Sequence, residues 1–161
     1  GVNSFKIEGR AKSAYYVSVV TNAYRKAMDI YKSDPDNFQL PQWIHDEVFK
    51  VSHRAYCTGF FFGHPNDCQY YENSGYIRDY DVVAVIEECR DGRIFAQQRN
   101  KFNKGDVLEI LSPNGEPVEY KADQIFNDKG EEVETANHAM MRLSMPSDKT
   151  FPKNSIIRMQ R

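Results

Sequence analysis

Residues 81–161 contain six short segments with the composition and spacing of β-strands, and this pattern constrains the fold more than any other feature of the chain. Turn signals such as Asp91-Gly92 and Pro113-Asn114-Gly115 separate the segments, and no helical periodicity lies between them. The segments are residues 81–89, 94–99, 107–111, 118–122, 141–145 and 156–159. Many short strands without helices are typical of a closed or nearly closed β-barrel. We therefore predict a small β-barrel domain over residues 81–161.

The first third of the chain has the period of α-helices instead. Apolar side chains between residues 13 and 33 recur every three or four positions, which predicts one amphipathic helix. Pro35 ends it, because proline lacks a backbone N–H. A second helix is predicted to start near Pro41 and to run towards Arg54, with its basic residues in the last turn.

Residues 4–9 alternate apolar and charged side chains, which predicts a short strand ahead of the first helix. One strand with two helices cannot bury both of its faces. We therefore expect residues 1–54 to be the last strand–helix unit of a truncated α/β barrel of the TIM type. Residues 55–80, rich in Phe and Tyr, are expected to form a linker that packs against the following domain. The predicted fold class is mainly β with an N-terminal α segment.

Charge and cysteine content narrow the function classes. The chain has a formal net charge of −2, with 21 Lys and Arg against 23 Asp and Glu, so it has no overall attraction to a polyanion. No apolar run approaches the roughly 18 residues of a membrane-spanning helix, and no membrane partner is expected. Three cysteines at irregular spacing favour reduced thiols and a cytoplasmic protein. The oligomeric state has no signature in the sequence.

A basic cluster follows the second predicted strand and is the candidate RNA-binding site. Cations beside an aromatic ring bind looped RNA through phosphate contacts and base stacking. The candidate residues are Arg99, Asn100, Lys101, Phe102 and Lys104. The alternative is a solvated turn whose cations pair with neighbouring acids.

A His-x3-Cys-x6-His-x3-Cys string is the candidate metal site. Its residues are His53, Cys57, His64 and Cys68. Two imidazoles and two thiolates are a chemically suitable zinc set, but structural zinc favours closer cysteine pairs. The alternative is that His53 caps the end of the second helix while the thiols are buried.

Several short motifs of the sequence resemble the C-terminal part of peptidase family U-32, the collagenase-like peptidases. These motifs are Ser4–Arg10 with Lys12-Ser13, Ser52-His53-Arg54 with Tyr56, Thr58-Gly59-Phe60 and Phe62-Gly63, Tyr76-Ile77-Arg78, and Arg99–Phe102 with Gly105-Asp106. The resemblance covers nearly the whole chain. It implies an α/β barrel that carries a C-terminal β-barrel similar to those of translation factors.

The resemblance also carries expectations about chemistry. Many members look like tRNA or rRNA hydroxylation proteins, with an iron–sulfur cluster held by cysteines upstream of the part that resembles this chain. We expect no cofactor and no catalysis from these 161 residues alone. In an intact α/β barrel, Glu8 and Arg10 would lie on the active-site rim. The expected function is RNA positioning during wobble-uridine hydroxylation of tRNA. The alternative is a substrate-recognition or stabilising domain of a peptidase, with a protein substrate.

Overall fold

The computed structural model describes residues 2–64 and 75–161. Two helices come first, α1 (Ala14–Ser33) and α2 (Gln42–Glu47). The strands are β1 (Tyr80–Arg90), β2 (Arg93–Gln98), β3 (Phe102–Asn103), β4 (Val107–Leu111), β5 (Val118–Lys121), β6 (Phe126–Asn127), β7 (Thr135–Ala136), β8 (Arg142–Pro146) and β9 (Ile156–Gln160). The six predicted strands are therefore confirmed within two residues at each end, and the fold is mainly β with an N-terminal helical segment.

Seven strands form one curled antiparallel sheet in the order β5-β4-β9-β1-β2-β8-β6, and β3 pairs with β7 in a second small sheet. The long central strand β1 shifts register near Val82 and again near Glu87. Such bulges bend a strand and increase its twist, so they help the sheet to curl. The hydroxyl of Tyr120 on edge strand β5 donates a 2.7 Å hydrogen bond to the carbonyl of Pro146 on β8. The predicted barrel is thus seen as a curled half-barrel.

The concave side of the sheet holds the main hydrophobic core. Its largest members are fully buried, among them Phe102, Ile86, Ile94, Leu108 and Ile157. They come from β1, β2, β3, β4 and β9, and alternate positions on each strand face inward because the side-chain period of a strand is two.

The helices pack on the outside of this half-barrel. Val19 and Val20 of α1 form a second buried cluster with Val51 and with Leu111 of β4. Asn22 also joins the helix to the β4–β5 turn, since its side chain donates to the Gly115 carbonyl and accepts from the Asn114 amide. The helical segment and the half-barrel therefore share a packed, hydrogen-bonded interface.

Two predictions about local structure are wrong. Residues 4–9 are not a strand, and Phe5 and Ile7 are 57% and 38% exposed. A strand requires a hydrogen-bonded neighbour, and the described residues offer none to this segment. The second helix ends at Glu47 rather than near Arg54, so His53 does not cap it. By contrast α1 matches its prediction, with Ser13 as its N-cap.

The linker residues are less buried than expected. Phe60, Phe61 and Phe62 are between 74% and 81% exposed, so they do not pack against the half-barrel. Residues 65–74, the middle of the predicted linker, lie outside the described residues.

Candidate functional site: a basic, tyrosine-lined groove between the helices and the sheet

A groove of about 570 Å³ lies where the start of α1 meets the start of β1. It is lined by Ala11, Lys12, Ser13, Tyr15, Tyr16, Ser52, Tyr76, Arg78, Tyr80, Val82 and Asn100. This lining contains two cations and four tyrosines but no carboxylate. Such a composition contrasts with the net negative charge of the chain and favours an anionic ligand that carries a flat ring.

An isolated antiparallel bridge assembles one wall of the groove. His53 and Ile77 exchange two backbone hydrogen bonds of 3.1 and 2.8 Å. The bridge sets Arg54 beside Tyr76, although the two are far apart in sequence. The buried ring of His53 stacks on the ring of Tyr56, and the two ring centroids lie 4.5 Å apart.

Two cations lie over the ring of Tyr76 at the mouth of the groove. Lys12 Nζ lies 4.2 Å from the ring centroid of Tyr76, and the Arg54 guanidinium carbon lies 5.2 Å from it. Lys12 also donates a 3.0 Å hydrogen bond to the Ser52 carbonyl. Within residues 2–64 and 75–161, no carboxylate lies within ion-pair distance of Lys12 or Arg54. The ring quadrupole attracts both cations but does not neutralise them.

Arg78 brings a third cation to the groove. It forms a 2.6 Å ion pair with Asp81, and the same carboxylate receives two hydrogen bonds from Arg161. The Arg161 hydrogen bonds and the charge of Arg78 outweigh desolvation and lower the pKa of Asp81. One carboxylate therefore faces two guanidinium groups, and the charge of neighbouring Asp79 also acts on Arg161.

A buried ionic cluster supports the groove from below. Arg158 of β9, with no exposed side-chain surface, donates to the carboxylates of both Glu47 and Glu109. Lys50 completes the cluster with a 2.9 Å contact to Glu109. Among these partners Glu47 and Lys50 belong to the helical segment, whereas Glu109 belongs to β4. The cluster thus ties the two parts of the chain together with paired charges.

Two tyrosines of the groove, Tyr15 and Tyr80, contact this cluster. The hydroxyl of Tyr15 donates to the Lys50 carbonyl and accepts from Arg158. Burial raises the pKa of Tyr15 to about 12. The hydroxyl of Tyr80 donates a hydrogen bond to Glu109. Burial and the charge of that carboxylate raise the pKa of Tyr80. Both phenols are therefore neutral hydrogen-bonding groups at ordinary pH and shape the floor of the groove.

The predicted RNA-binding residues fall into different surroundings. Asn100 lines the groove and donates a 2.7 Å hydrogen bond to the Val82 carbonyl. Its neighbours Arg99 and Lys101 are exposed beside it. Phe102 is 0% exposed, so its ring offers no face for stacking on a base. Lys104 lies away from the groove residues in ion pairs with Glu132 and Glu134.

The two candidate rim residues, Glu8 and Arg10, contact each other through the main chain. Glu8 accepts a 3.1 Å hydrogen bond from the backbone amide of Arg10 and lies 3.7 Å from Lys6. Its carboxylate therefore contacts the main chain of Arg10 rather than the guanidinium.

The candidate zinc string is not assembled in the part of the chain that can be described. No group of three or more His, Cys, Asp or Glu side chains there is placed to hold a metal ion. His53 Nδ1 contacts the Arg54 carbonyl, His64 packs edge-on against Phe60, and Cys57 is exposed. Cys68 lies outside the described residues. Of the two helices described, neither is long and apolar enough to cross a membrane.

Two models of known protein families match the chain. Residues 78–158 match the model of the peptidase family U32 C-terminal domain, and residues 1–70 match the model of peptidase family U32. The chain belongs to peptidase family U32. Six of the groove residues lie in the motifs on which the family resemblance rests, namely Lys12, Ser13, Ser52, Tyr76, Arg78 and Asn100.

Individual U32 relatives carry two kinds of name. The chain is 34% identical to tRNA hydroxylation protein P1 of Bacillus subtilis over 96% of its own length and 37% of the relative's. It is 32% identical to tRNA hydroxylation protein P of Haemophilus influenzae, over 92% of this chain and 33% of that one. A collagenase of Porphyromonas gingivalis is 26% identical over 98% of this chain and 45% of its own. The chain therefore spans about a third of the length of the tRNA hydroxylation proteins that it matches.

A solved structure is similar to about half of this chain. It is the C-terminal domain of a U32 peptidase from Geobacillus thermoleovorans, with a TM-score of 0.46 and 21% identity. The similarity covers 48% of this chain and 98% of that domain.

Proposed function

We propose that these residues form the C-terminal region of a U32 protein that acts in wobble-uridine hydroxylation of tRNA, and that this region positions the RNA. The observation that carries the proposal is the match to a tRNA hydroxylation protein at 34% identity over 96% of the chain. Hydroxylation itself is assigned to the rest of such a protein. Because its substrate is tRNA, the proposed place of action is the cytoplasm.

The groove supplies the RNA-contacting surface in this proposal. Lys12, Arg54 and Arg78 offer positive charge to phosphates, and exposed Arg99 and Lys101 extend the basic surface beyond Asn100. The chain as a whole is slightly acidic, so binding is confined to this local patch. Contacts of this kind release counterions from RNA, and affinity then falls with salt.

The N-terminal segment fits the end of an α/β barrel in the full-length protein. Phe5 and Ile7 are apolar but exposed in a segment that is not a strand here, and this segment would become one where another part of the protein supplies its partner. In that setting Glu8 and Arg10 would reach the rim of the barrel, where such enzymes place their active sites. The half-barrel takes the role of a translation-factor-like RNA-binding domain.

The cysteines that the structure describes, Cys57 and Cys89, do not form a site for the iron–sulfur cluster that the family resemblance implies. A cluster needs several convergent thiolates. Cys89 instead accepts a 3.4 Å hydrogen bond from the Phe151 amide in the half-barrel, and Cys57 is exposed on the helical side. The cysteines for a cluster are therefore assigned to another part of the protein.

A peptidase is the second candidate, and the similarity to a collagenase favours it. The groove would then bind an extended segment of a protein substrate, or the half-barrel would only stabilise the parent enzyme. Denatured collagen and RNA, offered separately to the same chain, distinguish these alternatives.

The proposal is tested by titrating labelled tRNA with the 161-residue chain at several salt concentrations. We expect binding that weakens with salt and that is reduced by Lys101→Glu, because this change reverses a charge beside the groove. Lys129→Glu, at an exposed turn of the half-barrel, is the matched control and should bind nearly as tightly as the unchanged protein. Absent binding, or binding that neither salt nor Lys101→Glu changes, would contradict the proposal.

A further inference from the structure

We infer that the groove binds an unpaired nucleotide, with its base against Tyr76 and its phosphate held by Lys12, Arg54 and Arg78. The inference rests on the proposed RNA-binding function and names the part of the RNA that the groove takes.

The charges around Tyr76 define where a phosphate binds. Lys12 and Arg54 lie within 4.2 and 5.2 Å of the same ring centroid, and each lacks a carboxylate partner within the described ranges. Two like charges near one ring repel each other, and an anion bound beside them relieves this repulsion. Arg78 adds a guanidinium that shares Asp81 with Arg161. A nucleotide phosphate, whose unesterified oxygens share its negative charge and accept hydrogen bonds, is matched to this set.

The rings define what accompanies the phosphate. Tyr76 is 55% exposed although two cations lie over its ring, so the residue remains accessible to a ligand. Tyr16 lies on the same side of the groove, with its centroid 5.2 Å from Lys12 Nζ. Stacking on such rings is the usual way in which proteins hold splayed-out bases, and it tolerates any base identity. Asn100 also lines the groove, with its side-chain amide bonded to the Val82 carbonyl.

The size of the groove excludes a double helix as the occupant. Its volume of about 570 Å³ is that of a site for one small molecule. The bases of an A-form duplex are stacked on one another, and only their edges and the backbone are accessible. A duplex would therefore use the cations but not the tyrosines. A nucleotide flipped out of a loop uses both.

The experiment compares an unstructured single-stranded RNA with a blunt duplex of the same strand, by titration with the 161-residue chain. We expect the single strand to bind at least about tenfold more tightly than the duplex, which is the scale of one base–aromatic stack. Tyr76→Leu should abolish most of this difference, whereas Tyr76→Phe should retain it because the ring remains. Tyr31→Leu, which removes an exposed tyrosine at the far end of α1, is the matched control and should bind like the unchanged chain.

The outcomes separate the inference from the function on which it rests. Equal binding of duplex and single strand, or normal single-strand binding by Tyr76→Leu, overturns the inference while RNA binding stands. Failure of every RNA to bind, with the fold confirmed by circular dichroism, overturns the inference together with the proposed function. Binding of denatured collagen that Tyr76→Leu weakens, without RNA binding, would assign the groove to a protein substrate and overturn both.

Discussion

Arg158 and Glu47 form an ion pair that is almost completely removed from water, with side-chain exposures of 0% and 1%. Nη1 of Arg158 donates a 2.9 Å hydrogen bond to Oε2 of Glu47, and Nη2 donates to Oε1. The pair joins the last strand of the half-barrel to the second helix, 111 residues earlier in the chain. It fixes the helical segment at the place where the groove opens.

Removing one partner of this pair should strongly destabilise the protein. Glu47→Gln leaves part of the Arg158 charge uncompensated in the interior, and the expected loss is about 3–5 kcal/mol of unfolding free energy. Urea unfolding followed by circular dichroism measures it. Arg161→Gln removes an exposed guanidinium from the end of the same sheet and should lower stability far less than Glu47→Gln, because solvent screens exposed ion pairs.

The double variant Glu47→Met with Arg158→Met distinguishes a lost pair from a general loss of packing. It leaves Lys50 paired with Glu109, so the remaining charges balance. We expect it to be more stable than Glu47→Gln alone, because no buried charge is left unpaired. Stability equal to the sum of two independent losses would contradict the account of the cluster.

Acid should weaken the fold through Glu109. Burial tends to raise the pKa of this carboxyl, but the Lys50 hydrogen bond and the Arg158 charge outweigh burial and hold the pKa below its ordinary value of 4.5. A lowered pKa means that the stabilisation is complete above 4.5 and is lost as the pH falls through the folded-state value.

Unfolding free energies measured from neutral pH to below 4.5 check this dependence. Glu109→Gln should be less stable at neutral pH and should show a shallower decline with acid. Some decline should persist, since the pKa of Asp81 is lowered as well. An unchanged slope in Glu109→Gln would show that the acid sensitivity arises elsewhere.

Tyr120 should contribute to the curl of the sheet. Its hydroxyl bonds to the Pro146 carbonyl, and burial raises its pKa to about 12. Tyr120→Phe should cost about 1 kcal/mol, the typical net value of a hydrogen bond. In a titration followed by phenolate absorbance, the variant should lose one group that ionises about two pH units above ordinary tyrosines. Loss of a group near pH 10 instead would mean that this phenol is solvated.

Asn22 should be needed for docking of α1. Its amide makes two hydrogen bonds to the β4–β5 turn, and Asn22→Ala leaves the Asn114 amide without its side-chain acceptor. The expected loss is about 1–3 kcal/mol. Thr21→Ala on the same helix is exposed and should change stability by no more than about 0.5 kcal/mol. Equal effects of the two changes would argue against this contact.

The local parts of the fold could be predicted from sequence because their signals are local. Helix α1 follows from its apolar stripe and Ser13, and strands such as β4 follow from alternation and flanking turns. Phe102 was misjudged because its charged neighbours indicate an exposed turn, whereas β3 directs its ring into the core. Residues 4–9 have the alternation of a strand, but alternation does not provide a partner strand.

The groove could not be predicted, because distant contacts create it. Lys12, Arg54 and Tyr76 meet only through the bridge between His53 and Ile77 and through the docking of the helices. The segments that contain them carried the family resemblance, and this was the one sequence signal that marked them. Arg158 had no signal, since an arginine in a terminal strand usually lies in solvent.

The most direct test of the account is to locate the RNA contact by photo-cross-linking a thiouridine-substituted tRNA transcript to the 161-residue chain, followed by mass spectrometry of the peptides. We expect adducts on the peptides that contain Lys12–Tyr16 and Tyr76–Tyr80, and their loss in the double variant Lys12→Glu with Arg54→Glu. Adducts confined to the Lys104 side of the half-barrel, or to no fixed surface of the folded chain, would contradict it.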